Sequence, residues 1–595
     1  MQTFKKLLLL LSPYELKQAC LLLIMIIIMA LLDTIGVASI LPFMAVLVNP
    51  TIINTNKTLN HLFEFSSFLG VSNIQEFLFV LGVLALALLI ISLAFKTVTT
   101  YALVRFVYIR EYSISKKLIE GYLQHPYSWF LSQHSAELGK TILSEVHFII
   151  INGLKPMMEL ISRGMIVIAL IALLILTDPK LALIISLVLG GPFALVFYIA
   201  RNYLNKIGNE RLNNNQLRFK TVSEVFGAIK EVKLKGLEKK YTNEFSGSAK
   251  IFAKSQAASE TISLLPRYMI EAIAFGGILL IILYLISRSE SFTEILPILS
   301  LFAFAGYRLM PALQVVYTSL TNLTFIGPSL NKLHNDLRKL KSTDQSSEQG
   351  YLPLRKNITL NNISFNYPNT TRIALKDINL TIPIKKTIGL IGTTGSGKTT
   401  VVDIILGLIE AQKGTLEVDG TIIKNFNVKS WQRNIGYVPQ HIYLSDDTIA
   451  ANIAFGEFKN KINKDMVIKA AKIANLHKFV SDELPEKYQT LIGENGTRLS
   501  GGQRQRIGIA RALYHKPQIL ILDEATSALD IKTEKAVMDS VNKLSKNLTI
   551  ILITHRLNTV KNCDIVYLLE KGQLKSRGTF NELKKISNTF GENTT

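Results

Sequence analysis

Six apolar runs, each long enough to cross a bilayer as a helix, occupy the first half of the chain at 19–48, 77–95, 157–177, 181–200, 268–286 and 295–316. About 20 such residues span the hydrocarbon layer, so the runs predict an all-α membrane domain of six helices. The third and fourth are joined only by Asp178-Pro179-Lys180 and form a tight hairpin. Orientation follows from Lys and Arg, which accumulate on the cytoplasmic side. The segment 49–76 has Lys57 as its one basic residue, and the later hairpin loops are short, so these face outward. By contrast, 105–155 and 201–260 are long, helix-forming and rich in Lys and Arg. They are too polar for lipid and too long for loops, which predicts membrane helices that continue into the cytosol and turn there. Both termini then lie in the cytoplasm.

Composition agrees with this division. The chain is 48% hydrophobic and 18% charged with a formal net charge of +22, the balance of a membrane protein with basic cytoplasmic surfaces. No basic patch interleaved with aromatics and no nucleic-acid module is present in the sequence, so nucleic acid is excluded as a partner. Cys20 and Cys563 are too few for a disulfide framework or a metal site. The opening residues, with Lys5-Lys6 before a leucine run, imitate a signal peptide. Glu15, Lys17 and Gln18 interrupt that pattern, so the start reads as an amphipathic helix on the cytoplasmic face.

Asp33, Lys96, Arg267, Glu271 and Arg308 lie in or against the apolar runs. Each costs about 2.5–3.5 kcal/mol near the bilayer centre, so all five are expected to face a protein interior or a wet cavity. Arg267 and Glu271, one helical turn apart, suit a structural pair equally well. Lys96 and Arg308 have no partner close in sequence and are read as lining a cavity that meets an anionic cargo. The outer stretch 58–70 holds Leu59, Leu62, Phe63, Phe65, Phe68 and Leu69, and reads as an interfacial helix or a plain loop.

After a polar linker at 332–351 the character changes to α/β. Gly392, Gly397, Lys398 and Thr399 occupy the fixed positions of the phosphate-loop pattern, between a short apolar strand and a helical repeat. Glycines at Gly392, Gly395 and Gly397 let backbone N–H groups of Thr393, Thr394, Ser396 and Thr400 curl toward a phosphate, and the next helix presents its positive end. Lys398 would reach the β/γ-phosphates and Thr399 a magnesium ion. Downstream, Leu499-Ser500-Gly501-Gly502-Gln503 opens an arginine-rich helix, a second place for a phosphate. The strand 519–522 ends in Asp523-Glu524, suited to magnesium and to the base that positions water. Gln440 ends another strand, Asp530 follows Ala528-Leu529, His555 follows the strand 550–553, and Tyr367 is placed where a base could stack.

This set resembles the nucleotide-binding domain of an ATP-binding-cassette transporter. The resemblance implies ATP and Mg2+ as ligands: a Walker A at 392–399, an A-loop Tyr367, a Q-loop Gln440 and a signature at 499–503. It also implies a Walker B ending in Asp523, a catalytic Glu524, a D-loop Asp530 and a switch His555, with Thr399, Gln440 and Asp523 around the metal. With the membrane half in front, the chain is similar to an exporter-type half-transporter of the type IV (type I exporter) fold. Its expected divisions are a transmembrane domain at 1–331, a linker at 332–351 and the cassette at 352–595. In that family two chains pair head to tail, so a homodimer is implied, with cytoplasmic turns near 127–131 and 224–229 acting as coupling helices.

Within the family, the stretches Asp33-Thr34, Leu41-Pro42-Phe43, Pro266-Arg267-Tyr268 and Tyr307-Arg308-Leu309-Met310-Pro311 resemble the PglK-type lipid-linked oligosaccharide flippases. That likeness implies a polyprenyl-pyrophosphate glycan as cargo in a bacterial inner membrane, met by Arg267, Arg308 and Lys96. Lys96 stands where the subgroup has an arginine, so bidentate phosphate binding is lost there, and Asp33 replaces a glutamate. The alternatives are export of another amphiphile, such as a lipid-A-type lipid, a drug or a peptide, and a non-transport cassette ATPase or channel regulator. The apolar runs oppose the soluble forms of the last.

Overall fold

The structure, a computed structural model, describes residues 2–67, 71, 73–177, 179–287, 292–340, 350–367, 370, 373–526, 528–544 and 547–586. It separates into two compact units, one of 1–125 with 132–342 and the other of 126–131 with 343–595.

The first unit is helical. A short α1 (Gln2–Leu9) precedes α2 (Pro13–Ala38) and α3 (Ile40–Val48). Ser12 opens α2 with a capping box: its hydroxyl accepts from the Glu15 N–H while Glu15 accepts from the Ser12 N–H. The first apolar run is thus two helices that meet at Ser39, whose hydroxyl donates to the Gly36 carbonyl. The outer stretch forms α4 (Lys57–Ser67), with Leu59 buried and Phe65 exposed; its expected end at 68–70 lies outside the described residues. Next come α5 (Ile74–Leu123), α6 (Ser135–Thr177), α7 (Pro179–Gly227), α8 (Glu238–Ser287), α9 (Phe292–Phe325) and α10 (Gly327–Lys339).

At 1.5 Å per residue, the 50-residue α5 is about 75 Å long, more than twice the hydrocarbon thickness. The 49-residue α7 and 50-residue α8 are of the same length, so the polar stretches continue the membrane helices. Among the described residues, three helical stretches (Pro13–Val48, Ile74–Leu123 and Ser135–Thr177) combine the length and hydropathy of a span. α6 carries two wide π turns, at Thr141–Glu145 and Ile150–Leu154. α10 leaves α9 at 56° and buries Leu330 and Leu333, so 332–339, read from sequence as linker, is helix attached to this unit. The reason is its apolar stripe, which the local excess of polar residues concealed.

In the second unit, a four-stranded antiparallel sheet has the order β2-β1-β4-β5, from β1 (Asn357–Asn366), β2 (Ile373–Pro383), β4 (Lys413–Val418) and β5 (Thr421–Ile422). A six-stranded sheet has the order β10-β9-β3-β8-β7-β6. Its members are β3 (Thr387–Gly392), β6 (Ile435–Val438), β7 (Ile519–Asp523), β8 (Thr549–Ile553), β9 (Ile565–Glu570) and β10 (Gln573–Gly578). Pairing is parallel from β9 to β6, and only the edge strand β10 is antiparallel. β7 and β8 are buried at every position, which is why they read as continuous apolar runs. A parallel sheet of this kind gathers its ligand site at the carboxyl ends of the strands.

Candidate functional site

Register brings the motifs together at those ends. Val438 lies beside Leu522, and Asp523 beside Ile553, so Gln440, Glu524 and His555 emerge from neighbouring strands at one level. The Glu524 N–H donates to the Ile553 carbonyl at 2.9 Å, and its backbone takes a left-handed conformation with φ of 47°. A non-glycine residue held there is strained, and it is the surrounding strands that hold it. The Gln440 amide donates to Glu524 Oε2 at 2.9 Å, and His555 Nε2 lies 2.9 Å from Glu524 Oε1. Gln440, expected at both the metal and the reaction, is thus engaged with the carboxylate of the candidate base.

The phosphate loop is built for close approach. A Cβ at Gly392 would stand 2.2 Å from the Leu569 carbonyl oxygen, and one at Gly397 2.7 Å from the Leu375 side chain. Gly397 also adopts φ of 101°, a region that only glycine enters freely. Helix α11 (Lys398–Ile405) starts directly after it. Lys398 folds over the loop, donating to the Gly392 and Thr393 carbonyls at 2.9 and 3.1 Å. Ser396 is buried and its hydroxyl has no partner among the described residues. An orphaned hydroxyl, a loop whose Gly392 and Gly397 leave no room for a Cβ, and a lysine folded over it fit a bound triphosphate.

Asp523 is buried, and burial, then the neighbouring Glu524, raises its pKa above the usual carboxylate value. Asp403, on α11, is pushed up to about 6 by burial and then by Asp523. Tyr437 donates toward Asp523 at 3.5 Å, a weak contact. Lys398 is one of the cations that act on Asp523, but burial holds the ammonium pKa down. Two crowded carboxyls with their charge disfavoured suit a divalent cation, which Asp523 and Thr399 would hold. Sequence reasoning missed Asp403 because, four residues beyond Thr399, it looked like an ordinary polar position of a helix.

Tyr367 stands at the edge of the site, its hydroxyl 3.1 Å from Thr400 Oγ1 and its ring edge-on to Phe365. Pro126–Leu131 belongs to this same unit, and Tyr127 feels the charge of Asp403 and the Tyr367 phenol after burial itself.

The remaining motif residues lie elsewhere on the chain. Ser500 caps helix α12 (Gly501–Tyr514): its N–H donates to Gln503 Oε1 at 2.7 Å and its hydroxyl accepts from the Gln503 N–H. A Cβ on Gly501 or Gly502 would come within 3.2 Å of Ala528 or Leu529, so the two glycines also seat the turn before Asp530. Asp530 is exposed and caps the next helix by accepting from the Thr533 N–H at 2.9 Å. It does not join Glu524 within one chain.

In the helical unit, Asp33 on α2 is 1% exposed. Arg308 donates to one of its oxygens, Lys96 Nζ lies 3.5 Å from the other, and the Ser92 hydroxyl donates at 3.1 Å. Lys96 and Arg308, which have no partner close in sequence, thus find one far along the chain. Their partner is on another helix, 275 positions away for Arg308, beyond any local periodicity. Arg267, on α8, is exposed, and the side chain of Glu271 lies outside the described residues.

Residues 19–308 match the family described as ABC transporter transmembrane region, and 375–527 match the ABC transporter family. An ATP-dependent lipid A-core flippase of Wigglesworthia glossinidia brevipalpis is 30% identical over 81% of this chain and 82% of that protein. One of Saccharophagus degradans is 30% identical over 80% of each. The heavy metal tolerance factor 1 of Caenorhabditis elegans is 41% identical over 40% of this chain and 30% of its own. Among solved structures, a bacterial Atm1-family ABC exporter with ATP bound superposes with a TM-score of 0.77, covering 95% of this chain and 96% of its own at 21% identity.

Proposed function

Since the chain belongs to the ABC transporter family and is of the exporter type, its ATPase being coupled to transport, we propose that it flips a phosphorylated amphiphilic lipid across the bacterial inner membrane as a homodimer. The observation that carries the cargo class is the buried cluster of Asp33, Lys96 and Arg308. Two cations for one carboxylate leave an excess positive charge at membrane depth, which a phosphate compensates. The relatives named lipid A-core flippase over four fifths of the chain support a lipid-A-type cargo. The second reading, a polyprenyl-pyrophosphate glycan, is favoured by Arg267 and Arg308 in their sequence contexts and uses the same charge.

In the proposed cycle, the phosphate loop and Lys398 bind the triphosphate of one site, and Ser500 to Gln503 of the other chain cover it. Magnesium, when bound, neutralises the developing phosphate charge. Glu524, oriented by Gln440 and His555, positions the attacking water. Hydrolysis drives the conformational cycle, and no chemistry occurs on the cargo.

Proteoliposomes carrying either lipid A or a polyprenyl-pyrophosphate glycan on the cassette side test this. ATP-dependent movement of one lipid by the wild type, abolished by Glu524→Gln, is the expected result. ATP hydrolysis that moves neither lipid overturns the cargo class.

A further inference from the structure

Asp33 is a carboxylate placed where a cation cluster for a lipid phosphate has no evident need of one. Its side chain is 2% exposed, whereas Lys96 and Arg308 retain 25% and 15% of their side-chain surface. The anion is therefore sealed and the cations reach outward from it. The Ser92 hydroxyl, itself buried, fixes the carboxylate from α5. Arg163, on α6, is near enough to Lys96 for its charge to act there. No hydrogen bond or ion pair engages Arg163 among the described residues. Two cations thus engage one anion, and the charge of a third acts on one of them.

Resting on the phosphorylated-lipid reading above, we propose that Asp33 is a resident counter-ion that stands in for the cargo's phosphate and sets the charge a lipid must carry to enter. In the cargo-free cavity it satisfies the donors of Arg308 and Lys96, which would otherwise be desolvated without partners. A headgroup must outcompete it for those donors. A phospholipid with one negative charge exchanges one anion for another and gains little. A headgroup with two phosphates engages the released donors and Arg163 together. Selectivity against the bulk anionic lipids of the bilayer then comes from competition, with no need for a closely fitted pocket.

The experiment uses the full-length dimer in phosphatidylcholine nanodiscs, with ATPase stimulation titrated by three probes. These are phosphatidylglycerol with one charge, lipid A with two phosphates, and undecaprenyl pyrophosphate. The wild type is expected to respond to a doubly phosphorylated probe at a concentration about tenfold or more below that of phosphatidylglycerol. Which of the two phosphorylated probes acts identifies the lipid. In Asp33→Asn the gap is expected to narrow to about threefold or less through a gain for phosphatidylglycerol, and Asp33→Glu is expected to keep it. Should the single variant not fold, Asp33→Asn with Lys96→Gln carries the test. That pair preserves the net charge of the cluster, so a gap narrowed through a gain for phosphatidylglycerol, and not through a loss for the phosphorylated lipids, identifies the carboxylate as the competitor.

An unchanged gap in a folded variant lacking the carboxylate overturns the counter-ion role and leaves the cargo reading standing. A wild type that responds to neither phosphorylated probe overturns both.

Discussion

Gln440 and His555 grip the two oxygens of one carboxylate, that of Glu524, each at 2.9 Å. A carboxylate held at both oxygens cannot swing, and its left-handed backbone aims it away from the buried strand β7. Glu524→Gln is expected to lower the ATPase rate about 100-fold or more while ATP still binds. His555→Ala, which frees one oxygen, should fall between that variant and the wild type. Steady-state phosphate release and nucleotide binding, measured in parallel, separate the two effects.

Gly392 leaves no room for a methyl group. Its Cβ would meet the Leu569 carbonyl and the Ser396 hydroxyl at 2.2 and 2.6 Å, the first of them backbone. Gly392→Ala is expected to destabilise the cassette by about 1–3 kcal/mol and to abolish ATP binding. Binding of a fluorescent ATP analogue and thermal unfolding are the measurements, and unimpaired binding would contradict the geometry.

Asp403 makes the folded cassette sensitive to pH in a direction opposite to that of a salt-bridged carboxylate. Its pKa rises from 3.8 to about 6 on folding, so between these values the folded state holds more proton than the unfolded one. Stability contributed by this group therefore falls as pH rises from about 4 to 6, and the cost is fully present at pH 7. Asp403→Asn is expected to stabilise the metal-free cassette by about 1–2 kcal/mol at pH 7 and to flatten that part of the profile. Magnesium added with ATP should stabilise the wild type less at pH 5.5 than at pH 7.5, pH values about the Asp403 titration chosen for the linkage. Thermal unfolding across that range reads both.

Lys140 is fully buried in the part of α6 that precedes the apolar run 157–177, and its amine has no hydrogen-bond partner among the described residues. Burial, reinforced by Lys332, lowers its pKa from 10.5 to about 8. The unfolded chain holds the proton more firmly, so stability from this group rises with pH between about 8 and 10.5. Lys140→Met is expected to raise stability at pH 7 by about 1–3 kcal/mol and to remove that slope. The neighbouring Arg211 is also buried, but it is paired with Glu145 at 2.5 Å and lies 3.5 Å from the Phe148 ring centroid. Arg211→Met should do the reverse and cost about 3–5 kcal/mol by stranding a buried carboxylate. Thermal unfolding in one detergent compares the pair.

Apolar run length was enough to read the helical membrane domain, and motif spacing to pick out most of the groups that gather at the candidate site. Apolar length is judged residue by residue against water, and a phosphate loop works through backbone geometry that only glycine at fixed spacing allows. The strand ends carrying Asp523, Glu524 and His555 were legible for the same reason, since a buried parallel strand is one continuous apolar word. Tertiary structure alone decided who meets whom. Asp33 was visible as a costly charge, but its pairing with Arg308 and Lys96 depends on how α2, α5 and α9 pack, which no periodicity within one helix encodes. Asp403 and Lys140 carried no signal, because their shifted pKa values arise from burial by distant parts of the chain, and desolvation acts through space and not along the sequence.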